Sequence, residues 1–243
     1  MKKILFYTLL FCLASVGFTS CSDDEELTDS KITYYPEMEI QGDEFTILPI
    51  GTPYVDKGCK GTLLGEDCTS GIVTEGVEDV DYNTAGLYYV TYFYTNKDGY
   101  LTKAKRTVAV CDPAITTNIE GKYTVQSGSN RNSGGKITEF SKYSVTVKKA
   151  APGLFYVSDF FGGYYDQGVG YGSTTAMTGY IQLLADNSIK LLSSNCNGFA
   201  DLNSLDGLEN GKYDPATGEI SFDATCLNGQ MIFHVILKKN INN

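Results

Sequence analysis

The sequence predicts an all-β protein made of two consecutive antiparallel units. Three observations carry that expectation. The composition is rich in strand formers and turn formers, with 18 Tyr, 12 Phe and 26 Gly among 243 residues. Short segments alternate apolar and polar residues with a period of two, punctuated by Gly, Pro, Asn and Asp. No long stretch with a 3.6-residue apolar period follows the amino-terminal segment.

That segment comes first in order. Met1-Lys2-Lys3 precedes an apolar run from Ile4 to Phe18, then Thr19-Ser20-Cys21. A basic start, a short apolar core and small residues before the cut describe a secretory signal peptide over residues 1–20. The run is shorter than the roughly 20 apolar residues that a membrane span needs. With Cys21 at the junction, the segment resembles a bacterial lipoprotein signal, and the resemblance implies acylation of Cys21 as the mature amino terminus. Two or more acyl chains would anchor such a chain, each buried CH2 contributing about 0.8 kcal/mol. Residues 21–31 read as an acidic, flexible tether opening on Ser22-Asp23-Asp24-Glu25-Glu26. This run resembles the export signal of Bacteroidetes-type surface lipoproteins, which implies an outer-membrane protein facing the cell exterior.

Removing residues 1–20 takes away Lys2 and Lys3 and no acid, leaving 17 basic against 29 acidic residues and a formal charge of −12. That balance argues against nucleic acid and anionic lipid as partners, which need a broad basic face. The lipid anchor is then the only expected membrane contact. Beyond Cys12 and Cys21, five thiols remain, at Cys59, Cys68, Cys111, Cys196 and Cys226. An exported chain can oxidise them. Cys59 with Cys68 and Cys196 with Cys226 are possible disulfides, and five buried apolar fillers are the alternative.

The clearest strand is Gly86 to Thr95, with Tyr88, Val90, Tyr92 and Tyr94 on one face. Asn96-Lys97-Asp98-Gly99 turns it into a partner at Lys103–Val110. Asp81 to Tyr88 looks like a tyrosine corner, in which a phenol satisfies backbone two residues before an inter-sheet Cys. Val90 holds that Cys position and the chain has no Trp, so no antibody-type disulfide is expected. Together with Leu48–Gly58, Gly86–Tyr92, Asn96–Gly99 and Lys105–Val110, the corner resembles the bacterial immunoglobulin-like repeat of insecticidal crystal proteins and surface lipoproteins. The resemblance implies a β-sandwich over residues 32–112. It says little about function, since such modules serve as spacers or binding platforms.

Residues 113–119 read as a linker, and 120–240 as a second antiparallel domain. Its expected strands are Gly121–Ser127, Lys142–Lys149, Leu154–Asp159, Gly179–Ala185, Ser188–Ser193, Gly211–Tyr213, Glu219–Asp223 and Gln230–Lys238. Tyr213 to Glu219 is a tight turn with Gly218 where positive φ is needed. Consecutive hairpins suggest a meander closing into a lipocalin-like barrel or an open sandwich. Gly121-Lys122-Tyr123, the run Tyr156–Tyr165, Gly211–Asp214 and Phe233–Leu237 resemble the C-terminal domain of a family of uncharacterised Bacteroidetes lipoproteins. Relatives of that kind occur beside glycan-uptake machinery.

Catalysis finds little footing. His234 is the only histidine and lies mid-strand among apolar neighbours. Nucleophilic triads and His-based zinc sites would all have to be built on it. No enzyme, cofactor or metal site is expected. Asp201 to Glu209 has the flavour of a calcium loop but fails the register, with Leu205 in a ligand position. Phe160 to Gly172 is the most suggestive surface feature. Tyr164, Tyr165 and Tyr171 could stack on sugar rings, with Asp166 and Gln167 bonding hydroxyls. The plainer reading is that these aromatics close the barrel. The expected function is a non-catalytic surface lipoprotein binding a glycan in nutrient capture. The alternatives are a structural or adhesive spacer with a protein partner and, behind it, a hydrolase with paired carboxylates.

Overall fold

The computed structural model describes residues 32–240. The signal, the tether and Cys21 lie outside the described residues. From Tyr35 onward the chain forms one compact unit, in which two β-domains are fused.

The first domain comprises β1 (Glu37–Ile40), β2 (Phe45–Pro49), β3 (Cys59–Leu63), β4 (Glu66–Asp67), β5 (Val73–Glu75), β6 (Gly86–Thr95) and β7 (Leu101–Cys111). They form a three-stranded sheet β1-β3-β4 and a four-stranded sheet β2-β7-β6-β5, with β2 parallel to β7. Period-2 alternation sends Val90, Tyr92, Val108 and Val110 between the sheets, where they meet Leu48, Cys59 and Val80. This is the expected immunoglobulin-like sandwich. The tyrosine corner forms, with Tyr88 Oη donating to the Thr84 carbonyl at 2.9 Å.

The second domain comprises β8 (Gly121–Val125), β9 (Asn130–Ser133), β10 (Lys136–Glu139), β11 (Ser144–Ala151), β12 (Leu154–Val157), β13 (Thr178–Leu183), β14 (Ile189–Asn195), β15 (Gly207–Asp214), β16 (Glu219–Cys226) and β17 (Met231–Lys239). They make one curled, half-barrel sheet. The meander β11-β12-β13-β14 holds, while the last strand, β17, returns to pair with β8, β9 and β16. A single bridge, Ser188 to Lys212, joins the far edges β14 and β15. Phe155, Phe160, Phe161, Phe222 and Phe233 fill the interior with aliphatic side chains from every wall. The curl therefore encloses a packed core. The Tyr213–Glu219 turn has Gly218 at φ 69, as its chemistry required.

The β9–β10 hairpin is not among the strands expected from sequence. Apart from the exposed Ile137 its residues are polar, and none is buried, so no alternation marked it; only Gly134-Gly135 at its tip signalled a turn.

The stretch read as a linker is partly structural. Ile119 is fully buried in the second core, and Tyr123 Oη donates to the Ile119 carbonyl at 2.5 Å. That bond makes a second tyrosine corner at the entry to the second domain. The domains meet along a small apolar seam in which Ala109 and Cys111 of β7 pack on Ala151 and Leu154.

Candidate functional site

The aromatic segment after β12 is organised from beneath by a buried carboxylate. Asp159, 2% exposed, accepts hydrogen bonds from the amides of Phe161 and Met177 at 2.9 Å and of Gly163 at 2.8 Å. Burial pushes its pKa up to about 6 against the pull of those three amides. A π-helical turn, Tyr164–Val169, follows, flanked by Gly163 and Gly170 in the left-handed region at φ 77 and 82. Such turns are rare and common at functional sites.

The five residues singled out here from sequence do not make one exposed platform. Tyr164 and Tyr165 lean on Phe233 with ring centroids 5.8 Å away in each case. The Arg131 guanidinium lies over both rings. Gln167 is tied to the backbone of Ser144 through both amide atoms at 2.9 Å. Asp166 sits half-buried at the turn. Gln167 is nonetheless exposed, as is Tyr171, which is 60% exposed and stacks on Tyr165 at 6.2 Å. The plainer reading accounts for most of this segment, because rings on a strand-closing loop gain more by covering core than by facing water.

The other sequence candidates also resolve. Cys59, Cys68, Cys111, Cys196 and Cys226 are all free thiols, so neither weighed disulfide forms in this structure. Cys196 Sγ points to the Thr174 carbonyl and Cys226 Sγ to the Met231 carbonyl. Burial pushes the Cys226 thiol up to about 11, which leaves it protonated and unreactive. In the supposed calcium loop, Leu202 and Leu205 turn into the core, and Asp206 accepts from the Gly229 amide. Among the described residues no group of three or more His, Cys, Asp or Glu side chains could hold a metal. His234 Nδ1 lies 2.6 Å from Asp223 Oδ1, and Asn210 donates to the other oxygen of that carboxylate. This pair stands on adjacent strands of the outer sheet surface.

A site that sequence reasoning missed lies where the domains meet. On β12 and β13, Phe155, Val157, Ile181 and Leu183 face the core, so Tyr156 and Tyr180 face outward, paired across the strands. Their rings meet edge to face at 5.4 Å. Phe45 of β2 stacks on Tyr180 from the other domain, with centroids 6.2 Å apart and planes 24° apart. Beside the apolar seam these three rings wall a groove of about 540 Å³, completed by Lys148, Lys149 and Ala150. Lys148 and Lys149 are both exposed, and the register shifts between Lys149 and Ala151 of β11. Tyr156 and Tyr180 also line an adjoining cleft of about 440 Å³ with Tyr89, Lys105, Thr178, Ser193 and Asn195. The Lys105 ammonium lies 4.5 Å from the Tyr89 ring centroid. Burial, then the neighbouring Tyr156 and Tyr89 phenols, raise the Tyr180 pKa, so its hydroxyl is a neutral donor.

The architecture is thus an immunoglobulin-like sandwich carrying a larger β-domain. The comparisons agree. A family model described as a bacterial surface protein, Ig-like domain, matches residues 38–110, and another, for a C-terminal domain, matches residues 112–239. The second match spans more than half of the chain, which belongs to that family. The crystal structure of the lipoprotein BT2262 from Bacteroides thetaiotaomicron is similar at 38% identity, covering 84% of this chain and all of that one, with a TM-score of 0.47. No curated protein matches.

Proposed function

We propose that the chain is a lipid-anchored, non-catalytic protein of the outer membrane that faces the cell exterior and captures glycan in the groove between its two domains. The observation that carries this reading is the wall formed by Phe45, Tyr156 and Tyr180, three rings drawn from both domains and left partly open to solvent. Aromatic faces stack on the apolar faces of pyranose rings, and neighbouring hydroxyl and amide groups bond the sugar hydroxyls. The groove falls within the roughly 300–1,000 Å³ usual for ligand sites. The anchor is supported by the run ending at Cys21, by the surface Ig-like match and by the likeness to a protein described as a lipoprotein. The described hydrogen bonding of His234 is with Asp223, a pairing that serves strand packing as well as chemistry.

A glycan array probed with residues 22–243 tests the reading. Retention on at least one polysaccharide should fall about tenfold or more in Tyr156→Ala, the loss of one stacking contact of about 1.4 kcal/mol. Tyr171→Ala should leave retention unchanged. The seam at Ala109, Cys111, Ala151 and Leu154 favours one alternative, in which the sandwich is a rigid spacer for a protein-binding domain. A blank array would move the assignment there, whereas loss with Tyr171→Ala alone would place the glycan on the Tyr164–Tyr171 segment instead of the groove.

A further inference from the structure

Resting on the reading of the interdomain groove as a glycan site, we infer that its ligand is an anionic saccharide, a pyranose chain bearing carboxylate or sulfate groups. The argument is one of local charge against the background of the whole molecule. The chain carries 29 acidic and 19 basic residues, a formal charge of −10, yet the groove and its adjoining cleft are lined by Lys105, Lys148 and Lys149 and by no carboxylate. None of these three lysines has an acidic partner among the described salt bridges. Three ammonium groups around an aromatic wall, with no carboxylate in the lining, leave a site whose charge is completed by a ligand.

The arrangement of the strands sets the geometry. Lys148 stands directly across from Tyr156, and Tyr156 from Tyr180. Ammonium, ring and ring therefore form one row across three strands, about 4.8 Å apart from strand to strand. Lys105 approaches from the sandwich side over Tyr89. A sugar ring lying on Tyr156 and Tyr180 would present its equatorial substituents to lysines at both ends. Beyond Lys148 a further cleft continues the basic strip with Lys122 and Lys239, beside Glu120, room for a chain rather than a single ring. Neutral glycans would use the rings and leave the ammonium groups without a partner.

Isothermal titration of the soluble chain, residues 22–243, with oligogalacturonate and with the same oligomer fully methyl-esterified separates charge from ring stacking. A chondroitin sulfate oligosaccharide distinguishes sulfate from carboxylate as the anionic group. The expected result is binding of at least one anionic oligomer, about tenfold weaker or worse in Lys148→Gln/Lys149→Gln, with the ester bound no better than that variant binds the acid. Both lysines are exposed, so the double variant keeps its fold, and an unchanged melting temperature checks this. Equal binding of acid and ester, with the lysine variant unaffected and Tyr156→Ala impaired, would overturn the anionic assignment and leave the groove a glycan site. Absence of binding to these oligomers together with a blank neutral array would sink both.

Discussion

The two domains solve the same packing problem with opposite chemistry. In the sandwich, the largest fully buried side chain is a guanidinium: Arg106, 1% exposed. Its Nε lies 3.3 Å from Asp56 Oδ1 and donates to Tyr92 Oη at 3.1 Å. Its remaining nitrogens donate to the carbonyls of Gln41, Asp43 and Gly58. Asp56 in turn accepts from the Tyr54 and Tyr92 phenols and from the Gly58 amide. Burial, then the bond to Asp56, push the Tyr92 pKa up to about 12. In the second domain, Phe161 and Phe233 touch at a centroid distance of 4.5 Å, and Phe160 packs on Phe222. There the buried charge is the single carboxylate Asp159. A small sandwich has little apolar area to bury, and its fully bonded ion pair fixes how the loops before β2 and β3 cross the sheet. The larger curled sheet relies chiefly on apolar area, with Asp159 as its one buried carboxylate among the described residues.

Breaking the polar core should have the largest effect. Asp56→Ala leaves Arg106 buried without its counter-ion, and the sandwich should lose about 3–5 kcal/mol, read by urea denaturation. A loss below about 1 kcal/mol would mean that the network ornaments a core held by Val90, Val108 and Val110.

Next comes Asp159. Asp159→Ala strands three buried amides, and a cost on the order of 3 kcal/mol or more follows. The pH dependence sharpens the comparison. The folded pKa of about 6 lies above the ordinary aspartate value of 3.8, so the native state holds the proton more tightly than the unfolded chain. The resulting stabilisation is fully present below about pH 4 and is lost as pH rises through about 6, on the order of 3 kcal/mol in all. The stability of the wild type relative to Asp159→Asn should therefore grow on acidification from pH 7 to pH 4. A flat difference would show that the three amides, rather than burial, set the pKa.

The smallest effects separate the two tyrosine corners. Tyr123 is fully buried and Tyr88 is not, although each phenol bonds the carbonyl four residues upstream. Tyr123→Phe orphans a buried carbonyl and should cost about 1–3 kcal/mol. Tyr88→Phe exposes its carbonyl to water and should cost about 0.5–1.5 kcal/mol. Equal losses in thermal melts would mean that the corners are equally wet.

Much of this fold was legible from residues in a row. The β6–β7 hairpin followed from alternation on either side of Asn96–Gly99, and the Gly218 turn from its own chemistry. The corner at Tyr88 was legible for the same reason, because its acceptor lies four residues away. The return of β17 between β8 and β16 was less so, since strand neighbours distant in sequence leave no local trace. The π-helical turn and its Asp159 support were hidden similarly, as Met177 joins the carboxylate from 18 residues downstream.

By itself, the sequence determined the all-β class, the two-domain order, the acidic surface and the inward faces of the strands, because these depend on composition and on a period of two. Which aromatics stay open was decided only in three dimensions. Tyr164 and Tyr165 looked available and are packed beneath Arg131, whereas Tyr156 and Tyr180 looked like ordinary strand residues. They became a groove when β2 of the other domain brought Phe45 against them. The physical reason is that burial is a property of surfaces meeting, and these surfaces come from segments more than 100 residues apart.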